Sequence, residues 1–419
     1  MDTEKLVIGL FGFGVVGEGI YKVLAQTPSL NAVIKKICIK QPGKKRDAPA
    51  DLFTTVYDDI IGDQEINLVV ELIDDAAEAF TIVSAALTKG KVVVSANKKM
   101  IAEHLPALLH LQKKHNASFL YEAAVCGSIP IIRNLEEYYD NDLLQGICGI
   151  VNGSTNYILT KIISDGLTYP QALAEAQQLG FAESDPALDV EGRDAANKLT
   201  ILLLHAYGII AHPGRLLYAG ITHIHADDSV FAEEKGYGIK LAAQARRLSN
   251  GKVAAFVLPQ FVTTESQLYH VHNEFNGVVI ESQLADQQFL YGKGAGRYPT
   301  SSAVVSDISA LRYQYRYEYK KLNNNEQYEL TDDYYLRVYL SFNSWDEVNK
   351  WDFESIDEFH STQGRQVVIG LLHARQVMNA EWLRNEAVSL ILLPNGIVEK
   401  GALLTKAMKK ISLQLGGVL

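Results

Sequence analysis

The stretch Leu6-Val7-Ile8-Gly9-Leu10-Phe11-Gly12-Phe13-Gly14-Val15-Val16-Gly17 decides the fold. Leu6 to Phe11 is a short, almost unbroken apolar run, which predicts a strand buried on both faces, as parallel sheets require. A turn of pattern G-x-G-x-x-G follows at once, and a helical pattern begins inside it, from about Val15 to Gln26. In that setting each glycine has a task. Gly12 permits a tight turn, Gly14 lets backbone N–H groups approach a pyrophosphate, and Gly17 lets helix pack closely on strand, while the helix N-terminus supplies a positive end. The bland alternative is an ordinary glycine-rich turn; the strand, helix and rhythm around it favour a dinucleotide cradle formed by Gly12, Phe13, Gly14, Val15, Val16 and Gly17.

Working outward, apolar runs at Val33 to Ile39, Ile66 to Ile73, Val92 to Val94 and Phe119 to Tyr121 alternate with helical patterns at Ala76 to Lys89 and Met100 to His115. This rhythm predicts an α/β fold with a parallel sheet over residues 1–141. From Asp142 the pattern changes. A strand at Gly146 to Val151, helices at Asn156 to Ser164, Pro170 to Leu179 and Gly192 to Tyr207, and strands at Val253 to Phe261 and Gln267 to Val271 predict an α+β domain over 142–295 with a mainly antiparallel sheet. The polar stretch Lys321 to Glu326 reads as a linker. Beyond it, over 330–419, we expect strands at Tyr335 to Phe342, Gln366 to Leu371 and Val388 to Leu393, helices near Trp345 to Lys350 and Glu381 to Arg384, and a closing helix from Lys400 to Gln414.

With 419 residues, 47% of them hydrophobic and 21% charged, the chain can bury two or three cores and is not a disordered polymer. A net charge of −10 repels polyanions, which argues against nucleic acid and acidic membrane surfaces as partners. The longest apolar run, Thr200 to Ala211, is shorter than the ~20 residues a bilayer requires, so no membrane span is expected. Neither is an export signal. Cys38, Cys126 and Cys148 suit free thiols in a reducing cytoplasm.

At the end of the second strand an Asp or Glu would bind the ribose 2′-hydroxyl of NAD, yet no acid stands between Glu18 and Asp47. Lys40, Lys44, Lys45 and Arg46 stand there instead. They read equally as a cradle for the 2′-phosphate of NADP or as a solvated charge run. The segment Gly180 to Lys198 concentrates five carboxylates, and Asp194 and Lys198 are four residues apart on one helix face. A surface ion pair is the plain reading. The apolar continuation Leu199 to Leu204 argues for burial, where a lysine beside a carboxylate can serve as general acid and base.

Taken together, these motifs resemble the homoserine dehydrogenase family. The resemblance covers roughly Leu6 to Leu311. It is carried by Ser95-Ala96-Asn97-Lys98-Lys99, by Tyr121 to Ile131, by Gly149-Ile150-Val151-Asn152-Gly153-Ser154-Thr155-Asn156, by Gly180 to Lys198, and by Gly292-Lys293-Gly294-Ala295-Gly296. It implies a Rossmann-type domain completed by a return segment at about 296–322, an α+β catalytic and dimerisation domain, and a C-terminal ACT-like α+β domain. It implies NADP or NAD as cofactor, L-homoserine and L-aspartate 4-semialdehyde as substrates, and a homo-oligomer, dimer or tetramer.

Residue by residue, the resemblance makes Lys198 the catalytic lysine, with Asp194 and Lys98 beside the reacting groups. Gly180, Glu183, Asp189, Gly153 and Ser154 fall on the substrate side, with Glu183 holding the substrate ammonium. Gly296 lies near the cofactor. Glu122, Val125, Gly127 and Ile129 match a monovalent-cation site, suited to Na⁺, built largely from carbonyl oxygens. Two departures stand out. Asp74-Asp75 replaces the usual Gly-Gly at a strand end where a dinucleotide passes, and Ser341-Phe342-Asn343-Ser344-Trp345 replaces the motif expected early in an ACT domain. Two rival readings follow: a thiol-dependent semialdehyde dehydrogenase using Cys126, and a non-catalytic nucleotide- or amino-acid-responsive regulatory protein on the same fold.

Overall fold

The computed structural model describes residues 5–141, 143–323, 327–362 and 364–401. It divides into two compact units. One comprises Met1–Asp142, Thr200–Pro213 and Leu290–Gln327, and the other Leu143–Leu199, Gly214–Phe289 and Tyr328–Leu419.

The first unit holds a sheet of β1 (Leu6–Phe11), β2 (Ala32–Cys38), β3 (Phe53–Thr54), β4 (Leu68–Glu71), β5 (Val92–Ser95) and β6 (Phe119–Leu120). Its order is β3-β2-β1-β4-β5-β6 and all pairings are parallel. This is the Rossmann order, in which the strand sequence reverses beside β1 and leaves the glycine turn at the switch point. Every residue of β4 is buried, as expected of a strand covered on both faces. Helix Val15–Gln26 coincides with its sequence reading, and helix Ala76–Thr88 ends ahead of Gly90, whose φ of +71° supplies the left-handed turn a helix terminus uses. The return segment contributes helix Arg297–Leu311, packed on helix Val15–Gln26. Gly19 makes that approach possible, because a Cβ there would lie 2.4 Å from the Ser301 hydroxyl.

The second unit is built on β7 (Leu144–Ile150), β8 (Leu217–Tyr218), β9 (Gly238–Arg247), β10 (Val253–Val262), β11 (Phe275–Ser282), β12 (Asp286–Lys293, which passes into the first unit at Leu290), β13 (Tyr335–Phe342), β14 (Phe353–Thr362), β15 (Arg365–His373) and β16 (Ser389–Val398). They form one sheet of order β12-β11-β7-β9-β10-β16-β13-β15-β14, with β8 added on β10. From β11 to β14 it is antiparallel except where β10 meets β16, and β8 also joins β10 in parallel. The sheet therefore runs without a break from the 142–295 region into the C-terminal strands. A continuous apolar cluster joins Phe256 and Leu258 to Leu336, Val338, Leu372 and Leu392.

Several expectations are corrected. Gln267 to Val271 is not a strand: Gln267–His270 forms a 3₁₀ turn, opened by the Ser266 hydroxyl accepting the Leu268 N–H. No helix forms near Trp345; a 3₁₀ turn at Lys350–Asp352 leads into β14 instead. Glu381–Arg384 is likewise a 3₁₀ turn. The expected linker begins as the 3₁₀ turn Lys320–Asn323, in which the buried Lys321 amine donates to the Leu135 and His205 carbonyls at 3.2 and 3.1 Å. The rest of that stretch, 324–326, lies outside the described residues, as does the closing helix beyond residue 401. Strands β9, β11, β12 and β14 had no counterpart in the sequence reading. Among the described residues no helix is long and apolar enough to cross a membrane.

Candidate active site

The first unit contributes the glycine turn. Gly12 has a φ of +93°, and a Cβ on it would come 2.7 Å from the Leu72 carbonyl oxygen. A Cβ on Gly17 would come 2.3 Å from the Gly12 carbonyl oxygen. Packing inside the protein thus demands both glycines. Gly14, which caps helix Val15–Gln26, has no protein atom within 4 Å of its Cβ position, so internal packing does not require glycine there.

At the carboxyl ends of β4 and β5 a buried network fixes the neighbouring loops. The Glu71 carboxylate accepts the Ile73 N–H at 2.7 Å and the Ser95 hydroxyl at 2.6 Å. Ser95 in turn accepts the Asn97 N–H, and the Asn97 amide donates to the Ile73 carbonyl while its oxygen caps helix Lys98–His115 through Met100. Burial pushes Glu71 up to about 7. Lys98, at the first position of that helix, is half-buried.

Asp75 has a local use: its carboxylate accepts the Glu78 N–H at 2.8 Å and caps helix Ala76–Thr88. That bond holds its pKa below the usual carboxylate value. Lys40 is ion-paired with Glu78, which raises its proton affinity. The Arg46 guanidinium donates to the Lys44 and Gln41 carbonyls, both at 2.7 Å, and so closes its own loop.

Also in this unit, the Glu122 carboxylate accepts the N–H groups of Ile132 and Arg133, both at 2.8 Å, at the start of helix Ile131–Glu137. The Glu122 N–H donates to Asp307, whose other oxygen pairs with Arg133 at 2.9 Å. Burial pushes Glu122 up to about 8 and Asp307 up to about 7. Two buried acids therefore face one arginine. Val125 and Ile129 are buried nearby in sequence, and Gly127, with φ +55°, admits the Gly294 carbonyl oxygen, which would lie 2.4 Å from a Cβ. Ser128 donates to the Lys293 carbonyl from both its N–H and its hydroxyl, at 3.1 Å each. Two motifs far apart in sequence, 122–129 and 292–296, meet here. Gly296 caps helix Arg297–Leu311 with φ +117°.

The second unit contributes the acid and lysine cluster. Asp194 and Lys198 lie on helix Arg193–Tyr207, and their spacing of four residues brings Lys198 Nζ to 2.6 Å from Asp194 Oδ2. The same amine donates to the Val151 carbonyl at 2.6 Å. The Lys198 side chain is 9% exposed and that of Asp194 is 3% exposed, so the surface-pair reading is set aside. Asn152 caps helix Gly153–Asp165 through the Thr155 N–H and donates to Asp189 at 2.7 Å and to Asp194 at 2.8 Å. Sequence reasoning quoted Asn152 only within a motif and gave it no role. Its place as N-cap immediately before a helix was the available signal.

The Ser154 hydroxyl donates to the Phe181 carbonyl at 2.6 Å and ties the helix start to the segment carrying Gly180 and Glu183. Gly153 lets the Glu274 carbonyl oxygen approach, which would sit 2.5 Å from a Cβ. Gly180 takes φ +78° after helix Tyr169–Gln178. The Glu183 side chain is exposed, with its carbonyl held by the Gln177 amide at 2.9 Å. Cys126 is buried.

The sheet order of the first unit and its glycine turn are those of the nicotinamide-dinucleotide-dependent oxidoreductases, and the second unit by itself holds a buried carboxylate–lysine pair. The comparisons narrow this class. A family model described as "Homoserine dehydrogenase, NAD binding domain" matches residues 12–122, and one described as "Homoserine dehydrogenase" matches residues 130–309. Homoserine dehydrogenase of Bacillus subtilis is 36% identical over 378 residues, covering 86% of each chain. That of Lactococcus lactis is 36% identical over 312 residues, covering 72% of this chain and 73% of its own. Among solved structures, a homoserine dehydrogenase from Thiobacillus denitrificans superposes with a TM-score of 0.79 at 29% identity, over 93% of this chain and 98% of that one. A hyperthermophilic archaeal homoserine dehydrogenase mutant in complex with NADPH gives 0.63 at 26% identity, over 75% of this chain and 100% of that one. The chain belongs to the homoserine dehydrogenase family.

Proposed function

We propose that this chain interconverts L-homoserine and L-aspartate 4-semialdehyde with NAD(P), and that Lys198 moves the proton. The observation that carries the residue assignment is the buried Lys198–Asp194 contact of 2.6 Å. A carboxylate at that distance, in a site shielded from water, holds the amine in one place for proton transfer. Two of the three positions on the Lys198 nitrogen face Asp194 and Val151, leaving the third, a lone pair in the neutral amine and an N–H in the ammonium, to take a proton from a substrate hydroxyl or return it.

The dinucleotide fits the glycine turn: Gly14 is free of any packing reason to be glycine, and the N–H groups that open helix Val15–Gln26 are the groups that receive a pyrophosphate. Gly12, Phe13, Gly14, Val15, Val16 and Gly17 would hold it, with Gly296 and Lys98 beside it. When bound, its nicotinamide exchanges a hydride with the carbon bearing the substrate oxygen. In oxidation Lys198 takes the hydroxyl proton; in reduction it returns one to the alkoxide oxygen. Glu183, with its carboxylate exposed, would pair with the substrate ammonium, and Asp189 would add a second acid.

The lysines at 40, 44 and 45 support acceptance of NADP. The carbonyls of Glu122, Val125, Gly127 and Ile129 would hold a Na⁺ ion, since the Glu122 carboxylate is already engaged by two N–H groups and neutral oxygen donors suit a hard monovalent cation. The free thiols support work in a reducing cytoplasm. The test is an absorbance assay at the nicotinamide band with L-homoserine, run separately with NAD and NADP. Reduction of either cofactor supports the activity; no reduction of both refutes it and favours the regulatory alternative.

A further inference from the structure

We propose that Asn152 is a positioning residue for proton transfer, tying the loop acid Asp189 to the helix acid Asp194 and so fixing the carboxylate beside Lys198. The inference rests on the reading of Lys198 as acid and base and deepens it. The orientation of the amide is decided by its surroundings: Asn152 Oδ1 accepts the Thr155 N–H at 2.9 Å, so a flipped amide would set two donors against each other. The Nδ2 protons therefore face Asp189 Oδ1 at 2.7 Å and Asp194 Oδ2 at 2.8 Å. Asp194 Oδ2 is also the oxygen that faces the Lys198 amine. Residues 151 and 152 thus grip both members of the pair, the Val151 carbonyl holding the amine and the Asn152 side chain holding the carboxylate.

The grip is anchored from the far side. Asn156, one turn along the same helix, donates to the carbonyls of Val271, Asn273 and Phe275 at 3.2, 2.9 and 3.1 Å. The buried Lys240 amine holds Asn156 Oδ1 at 3.3 Å and also reaches the Val271 carbonyl. The start of the helix is therefore a fixed platform, and Asn152 transmits its position to the acids. Donors between two carboxylates also relieve their repulsion, which Asn152 does for Asp189 and Asp194.

Two substitutions separate this role from helix capping, because Asp and Ser cap about as well as Asn. Asn152→Asp keeps a cap acceptor but sets a third carboxylate against the other two. Asn152→Ser keeps a cap but cannot reach both acids. Positioning predicts a fall in kcat of about 100-fold in both, with the homoserine KM less affected. In Asn152→Asp the added negative charge holds the lysine proton more tightly, so the rising limb of the pH profile for homoserine oxidation moves up by about one pH unit. Asn152→Ser lowers kcat without that shift, and it carries the test if Asn152→Asp does not fold. Near wild-type kcat and an unmoved pH limb in the variants would overturn the proposal. Lys198→Ala is assayed alongside: if it is fully active the acid/base reading fails, and if it is inactive while the Asn152 variants turn over normally only the positioning role fails.

Discussion

Lys40, two residues past β2, is ion-paired with Glu78 in the first turn of helix Ala76–Thr88. The cation expected to meet a 2′-phosphate is thus already matched to an acid of the neighbouring helix, and Asp75 and Asp74 add to the field it feels. Glu78→Gln should release it and lower the NADP KM a few-fold while leaving NAD unchanged. Replacing Lys40, Lys44, Lys45 and Arg46 together by Ala should raise the NADP KM more than the NAD KM. Steady-state kinetics with both cofactors checks the pair of expectations, and an unchanged NADP-to-NAD ratio in the quadruple variant refutes the phosphate role.

Lys198→Ala should reduce kcat by roughly 10²- to 10⁴-fold, the usual share of general acid–base catalysis, with little change in homoserine binding. Asp194→Asn should also reduce kcat, because the amine loses its charge partner. Glu183→Ala should act mainly on KM. Normal turnover in Lys198→Ala removes it from the mechanism.

The three glycines of the turn should fail in different ways. Gly12→Ala and Gly17→Ala meet the Leu72 and Gly12 carbonyl oxygens and should cost about 1–3 kcal/mol of stability, read by denaturant titration. Gly14→Ala has room for its methyl group and should melt like the parent, with a raised KM for the dinucleotide. Loss of stability in Gly14→Ala would contradict this division.

Glu71 sets a pH dependence. Burial raises it from 4.5 to about 7, so between those values the folded chain keeps a proton that the unfolded chain releases. Stability from this group is therefore greatest below about 4.5, declines as pH rises towards about 7, and is level above that. The melting temperature of the parent relative to Glu71→Gln should fall across that window. A difference that stays flat with pH would show that Glu71 is charged throughout.

A cation held by the carbonyls at 122–129 should stabilise the fold by mass action. Melting temperature should rise with NaCl and not with choline chloride at equal ionic strength. Gly127→Ala, which would press on the Gly294 carbonyl, should abolish the difference. Equal effects of the two salts would remove the cation from the site.

Much of the first unit was legible because its signals are local. The apolar run Leu6–Phe11, the glycines that follow it and helix Val15–Gln26 are contiguous, and the first strand and helix match their sequence reading end for end. Gln267 to Val271 was misread because a strand-like run of five residues cannot outweigh a Ser266 cap. Gly238–Arg247 was missed because its lysine and arginines disguise a strand whose Lys240 is nonetheless buried against carbonyls. Ser154 and Gly153 were read as substrate contacts, and the fold adds that the Ser154 hydroxyl donates to the Phe181 carbonyl and that Gly153 admits the Glu274 carbonyl, partners no local pattern announces.

From its sequence alone this protein has a parallel α/β amino-terminal region, a glycine turn shaped for a pyrophosphate, and an acid and a lysine on one helix face, because each depends on residues within a few positions of one another. Only the tertiary structure decided that Asn152 bridges Asp189 and Asp194, that Glu78 claims Lys40, that loop 122–129 meets 292–296, and that the C-terminal strands extend the sheet of the second unit. Those contacts join residues about 40 to 165 positions apart, and their partners are selected by burial and hydrogen-bond satisfaction across the whole core, which no short window of sequence records.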